Sequence, residues 1–150
     1  MLEVFISNLP EHAFVPKKVK EEVLIKGSLE TLQIAALVDS GNIRVRMVDD
    51  RKLIQKLMSD FTIDSGEAEA IALALKIKGA VIATDDRNAI RACKLLKIDF
   101  ITALAVLMRA TEKHILDGSE ALVKLERLAS IGRYKKSIIA DARRRIKGDD

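Results

Sequence analysis

The run from Ser65 to Asp86, SGEAEAIALALKIKGAVIATDD, constrains the fold of this chain more than any other part of it. It places Glu67 and Glu69 at the start of an Ala/Leu/Ile-rich helix, then a short apolar strand at 80–84, then Asp85 and Asp86. Helices alternating with short apolar strands call for an α/β architecture with a parallel sheet. In such a sheet ligands bind beyond the carboxyl ends of the strands, where the two aspartates fall. Carboxylates gathered on that rim repel one another and persist when a cation lies between them, and ligands that are all oxygen suit Mg²⁺ or Mn²⁺ rather than zinc. That pattern outlines a metal-dependent phosphodiesterase site. Each acid also has a plain structural role open to it. Asp64 or Ser65 is a good N-cap, the helix dipole favours Glu67 and Glu69 in the first turn, and Asp85 and Asp86 precede a helix beginning near Asn88.

The rest of the chain repeats the alternation. The reading is a helix at 2–9, a strand at 12–15 and a helix at 17–26. Ser28 then caps a helix whose Leu29, Leu32, Ala36 and Leu37 share a face, and Gly41 ends it. Ile43, Val45 and Met47 alternate with Arg44 and Arg46, as on a half-exposed strand. Asp49 or Asp50 caps a helix carrying Leu53, Ile54, Leu57 and Met58. Beyond it come helix 66–78, strand 80–84, helix 88–97 and strand 98–101, then three further helices with Ser119 as a cap and Gly132 and Gly148 as stops.

Composition excludes several classes. No apolar run approaches the length of a membrane span, and no charged segment with a long apolar stretch opens the chain. The single Cys93 rules out a disulfide framework within one chain and reads as a small buried side chain. With one cysteine, and with His12 and His114 far apart, zinc has no ligand set; no glycine-rich phosphate loop precedes a helix. The net charge is +4, and the basic residues concentrate late, from Lys124 through Lys147. A surface of that kind tracks phosphates in a salt-dependent way, or forms the solvated side of an amphipathic tail with Ile138, Ile139, Ala142 and Ile146 inward. Aromatic residues are only 3% of the chain, too few for a base-stacking platform.

The segment GEAEAIALA followed by ATDDRNAIRACKLLKI resembles a PIN domain, in particular the small prokaryotic PIN-like proteins related to toxin ribonucleases. The EAEA step is similar to that of the flap endonucleases, which use such glutamates for metal. Upstream, FVPKKVKEEV resembles the family's strand-then-helix segment through Pro16, Val19 and Glu22. Downstream, ITALAVLMRA resembles the strand and helix that close the sheet, and LVKLERLASIGRYKKSIIADARRRIKG the two-helix tail. The resemblance implies one PIN-like domain over 1–150, a three-layer α/β/α fold with a parallel sheet, in which 119–148 is a C-terminal helical extension.

For the site, the resemblance implies Mg²⁺ or Mn²⁺ held by Glu22, Glu67, Glu69, Asp85 and Asp86, with Glu22, Glu67, Asp85 and Asp86 as the catalytic acids. Glu67 and Glu69 lie two apart and point in nearly opposite directions on a helix; Glu67 shares the inward face of Ile71, while a water would link Glu69 to a metal. Thr84, Arg87, Arg133 and Lys135 are the expected substrate contacts. RNA is the implied substrate, an antitoxin protein and a second copy of the chain the implied partners, and the cytoplasm the implied location.

One piece of the pattern is not in this sequence. The family opens with an apolar strand ending in an aspartate, whereas MLEVFISNL reads as the helix after it, since too few residues separate it from AFVP for a parallel crossover. The expectation is a metal site short of one acid and a sheet with an open inner edge that a homodimer would cover. Two readings stay open: a PIN-like ribonuclease, and a catalytically degenerate PIN-like module that binds RNA or a protein. A phosphotransfer domain using Asp85 or Asp86 is more remote, because it explains neither Glu67 nor the tail.

Overall fold

The protein, seen in a computed structural model, is described over residues 6, 12–26, 29–131 and 134–148. Except for Ile6, the expected helix at 2–9 lies outside those residues, as do the cap at Ser28 and the stop at Gly132. The chain divides into two compact units, Leu2–Phe100 and Ile101–Asp150.

In the first unit, β1 (Ala13–Pro16) runs directly into α1 (Lys17–Lys26); α2 (Leu29–Asp39) follows, then β2 (Ile43–Arg46). The two strands pair in parallel, with Val15 opposite Val45 and Pro16 opposite Arg46. Alternation sets the faces of β2, where Ile43 is buried while Arg44 and Arg46 are exposed. Arg46 covers the Phe14 ring at 5.3 Å from its centroid. Gly41, at φ +79°, makes the left-handed turn that ends α2 and leads into β2. The buried side of α2 differs from the expected one. Leu37 and Thr31 face inward, whereas Leu32 is 69% exposed and Ala36 is also exposed. Thr31 is held by a bond from its hydroxyl to the Val23 carbonyl, so a polar residue with a backbone partner takes the place expected of a leucine.

Next come α3 (Arg51–Phe61) and α4 (Ser65–Ala74), then β3 (Val81–Ala83), α5 (Arg87–Leu96) and β4 (Asp99–Ile101). Asp50 rather than Asp49 caps α3, accepting from Leu53 N–H, and the helix buries Ile54 and Leu57. α4 is the central element: it packs against α1, β1, α3, α5 and β3. Its buried residues are Gly66, Ala68, Ile71, Ala72 and Ala74, and side chains this small let neighbouring backbones come close. The helix ends at Ala74, earlier than expected. Lys76 and Ile77 donate to Leu73 and Ala74, three residues back, and this tightened last turn passes through Gly79 at φ +74° into β3. β3 pairs with β4, so the strands form two two-stranded sheets, β1–β2 and β3–β4. The core of this unit joins Ile54, Leu57, Ile63, Ile71, Ile82 and Cys93 with the α4 and α5 alanines.

The second unit holds α6 (Ala103–Glu112), α7 (Gly118–Ser130) and α8 (Lys136–Lys147), which pack pairwise around Leu107, Leu125, Leu104, Met108 and Ile139. Asp117, not the expected Ser119, caps α7, since its carboxylate accepts from Glu120 N–H. Ile139 and Ala142 face inward on α8 as the pattern requires, but Ile138 is exposed. Gly148 closes α8 at φ +73°. The fold is a mixed α/β one with eight helices among the described residues and short parallel strands, as the alternation predicts. No helix among them is long and apolar enough to cross a membrane.

Candidate functional site

The candidate acids all belong to the first unit, and α4 is the element that relates them. Val19 and Glu22 lie on the face of α1 turned toward Gly66. A Cβ built on Gly66 would lie 2.8 Å from Glu22 Oε2 and 3.2 Å from Val19 Cγ2. Glycine at this position therefore lets the Glu22 carboxylate lie against the first turn of α4, where the helix dipole favours a negative charge. The spacing of the glutamates in GEAEA does not by itself give its glycine this role. The available signal was a residue that disfavours helix, placed in the first turn of an otherwise strong helix former.

The two α4 glutamates diverge, as their spacing predicts. Glu67 turns back: its Oε2 accepts from Asp64 N–H at 3.1 Å, while Asp64 Oδ1 accepts from Glu67 N–H at 2.9 Å. This reciprocal pair is a capping box, with Asp64 rather than Ser65 as the cap. Glu69 turns toward α1 and its Oε2 accepts from Lys18 N–H at 3.3 Å. The expectation gave Glu67 the inward position. In the structure Glu69 lies on the α1 side of α4, the side on which Glu22 meets Gly66.

At the carboxyl end of β3, local hydrogen bonds fix the turn. Thr84 Oγ1 accepts from Asp86 N–H at 3.1 Å, and Asp86 Oδ1 accepts from Asn88 N–H and Ala89 N–H at 2.8 and 2.9 Å. Asp86 is thus the N-cap of α5, and these bonds use one of its two oxygens. Asp85 is half-buried beside it, and Arg87 is exposed at the first position of α5. Asn88 donates from Nδ2 to the Thr62 carbonyl at 3.0 Å and ties α5 to the end of α3.

Donor chemistry fits a hard cation: Glu22, Glu67, Glu69, Asp85 and Asp86 offer only oxygen, and the Gly66 cradle holds one carboxylate against the helix that carries two more. Their spacing is looser than a finished site. Among the described residues, no group of three or more His, Cys, Asp or Glu side chains is placed to hold a metal ion. Neither histidine contributes. His12 packs edge-on to Phe14, and His114 occupies a left-handed turn after α6. Cys93 is fully buried in the core, which pushes its thiol pKa up.

Of the two expected cations from the tail, Arg133 lies outside the described residues and Lys135 precedes α8 in the second unit, exposed. The basic run around it is partly neutralised. Arg143 pairs with Glu126, Arg144 with Asp141 and Arg145 with Glu112, the last across 33 residues of sequence.

A family model described as a PIN domain matches residues 2–147. No curated protein and no solved structure matches the chain.

Proposed function

Because the chain belongs to the PIN-domain family and so carries a nuclease-type fold, we propose that it is a metal-dependent ribonuclease whose carboxylates hold Mg²⁺ or Mn²⁺. The observation that carries this reading is the contact between Glu22 and Gly66, which keeps one acid on the α1 side of α4 that also bears Glu69. Glu22, Glu69, Asp85 and Asp86 would hold the ion. Bound there, such an ion supplies an activated water near neutral pH and charge stabilisation at the phosphate. The chain's own groups supply position. The Asp86 cap fixes one carboxylate at the strand end, Thr84 fixes the turn beneath it, and Arg87 presents a cation to a phosphate on the same rim.

The absence of any three-acid group among the described residues favours a second reading, a degenerate module that binds RNA without cleaving it. One pair of experiments separates the two. Calorimetric titration of Mn²⁺ into the wild type and into Asp86→Asn, which keeps the α5 cap and removes the charge, reads the site directly. Cleavage of a labelled RNA with and without Mn²⁺ reads the chemistry. Binding that is lost in Asp86→Asn, together with Mn²⁺-dependent cleavage, supports the nuclease. RNA binding without Mn²⁺ binding or cleavage supports the module.

A further inference from the structure

β2 is an edge strand whose side-chain charge is all of one sign. β1 pairs along one side of it and, among the described residues, no strand pairs along the other. That outer side presents backbone N–H and C=O groups in the spacing of a sheet, a template for one more extended chain. The parallel register sets Phe14 opposite Arg44 and Pro16 opposite Arg46, so both arginines stand on one face of the edge, two residues apart. Both are exposed, and among the described residues neither makes an ion pair. The acids nearest in sequence do not neutralise them. Asp39 and Asp49 stay out of ion-pair reach, and the Asp50 carboxylate caps α3. Arg46 is also held in place: its guanidinium lies over the Phe14 ring at 5.3 Å from the centroid, and His12 meets the same ring edge-on at 6.4 Å. A guanidinium steadied in this way keeps N–H donors for a carboxylate and loses less freedom in binding one.

We propose that this edge docks an extended acidic segment of another protein, which adds to the sheet as a strand beyond β2 and sets carboxylates at alternate positions beside Arg44 and Arg46. The inference goes beyond the nuclease reading and uses none of its acids. Spacing and charge together select the partner. Arginines two apart on one strand match side chains two apart on the next, while the edge backbone pairs with another backbone. A second copy of β2 is disfavoured there, because pairing the strand with itself in either direction brings arginine against arginine. A nucleic acid has phosphates for the arginines but no regular row of donors for the edge carbonyls. The charges that guard this edge against apolar and basic strands thus also choose an acidic one.

The test is fluorescence anisotropy at physiological salt with a labelled peptide of about seven residues that alternates threonine and glutamate, long enough to span β2. The proteins are the full chain as wild type, Arg44→Glu with Arg46→Glu, and, as an equal charge change elsewhere on the same unit, Lys76→Glu with Lys78→Glu. Circular dichroism and a melting curve check that each folds, and exposure of all four side chains favours that outcome. The expected result is saturable binding by the wild type, about tenfold or more weaker binding by the arginine variant, and little change in the lysine variant. A peptide alternating threonine and lysine should reverse the order and bind the arginine variant better than the wild type. Two N-methylated forms of the acidic peptide, which need only the wild type, resolve the strand. Alternate N–H groups of an extended chain face the same neighbour, so methylating all glutamate amides in one peptide and all threonine amides in the other should abolish binding of one and spare the other. No saturable binding by the wild type, equal binding by the arginine variant, or the same outcome for both methylated peptides overturns the proposal. A single-stranded RNA hexamer that loses as much affinity in the arginine variant as the peptide does overturns it too, by making the pair a phosphate site.

Discussion

Replacing Gly66 by alanine separates the stability of the α1–α4 contact from its chemistry. The added Cβ would lie 2.8 Å from Glu22 Oε2, and ordinary contact begins at 3.4 Å, so the carboxylate must retreat by at least 0.6 Å (3.4 minus 2.8). The retreat is cheap for the fold, because the obstructing atom is the end of a flexible side chain, and Val19 Cγ2 at 3.2 Å needs to give only a few tenths of an ångström. Alanine in turn gains up to about 1 kcal/mol of helix propensity over glycine. The two effects nearly cancel, so Gly66→Ala should shift stability by no more than about 1 kcal/mol, or about 2–4 °C in Tm for a chain of this size.

Metal binding should respond far more. Coordination distances tolerate about 0.2 Å, so a 0.6 Å displacement of one ligand exceeds that allowance threefold. Calorimetry with Mn²⁺ should then show at least about tenfold weaker binding in Gly66→Ala, the scale on which disturbed ligand positions usually act. Glu22→Gln should lose as much or more. Because the glycine change is argued to work through Glu22, the double variant should bind no worse than Glu22→Gln alone. Additive losses in the double variant would refute the reasoning, since the alanine would then act on something other than Glu22. A fall in Tm beyond about 8 °C would refute it in a different way, by showing that backbone and not a mobile carboxylate meets the new methyl.

Three further outcomes follow from the same hydrogen bonds. Asp86→Ala should cost about 1 kcal/mol, because two amides of α5 lose their acceptor, whereas Asp86→Asn should keep the cap and lose only Mn²⁺ affinity; urea melts with calorimetry separate the two. Glu67→Gln should leave Mn²⁺ affinity within about twofold while Glu69→Gln lowers it about tenfold or more, since Glu67 turns back to its cap and Glu69 turns toward α1; the reverse order would make Glu67 the ligand. Cys93 should react with a thiol reagent only as the protein opens. Burial raises its pKa above the ordinary 9.0, so the unfolded chain loses the proton first; its contribution is intact below pH 9 and declines as pH rises through the folded value. Melting curves between pH 7 and pH 10 should show that decline in the wild type and less of it in Cys93→Ala.

What the sequence made legible was whatever a few neighbouring residues decide. α3 shows this most clearly: an aspartate before a run with Ile54 and Leu57 one turn apart suffices to place a helix and its buried face. The divergence of Glu67 and Glu69 was legible for the same reason, since it follows from helical geometry alone. Competing local signals explain the small misses. Asp117 and Ser119 are both good caps, and the choice fell to the residue whose carboxylate reaches Glu120 N–H. At the end of α4, Leu75 and Ile77 continue the apolar pattern, but the chain must reverse into β3, and the turn tightens before the pattern runs out.

What orients Glu69 was not legible, because its partner lies 51 residues away. Glu69 is oriented by the amide of Lys18, and Glu22 by the missing side chain of Gly66, and neither partner is marked as such in its own neighbourhood. The same holds for the groove at the carboxyl ends of β1 and β2. Lys18, Met47 and Arg51 are unremarkable on their own segments and acquire a common surface only because β1 and β2 end side by side, with Pro16 opposite Arg46. The parallel register is therefore the step that brings these scattered residues together. It sets the start of α1 and the link to α3 side by side, and α4 packs against both β1 and β3, the strand that Asp85 and Asp86 follow. A change that loosened α4 without touching any acid should thus weaken Mn²⁺ binding, because α4 carries Glu69 and the glycine against which Glu22 lies.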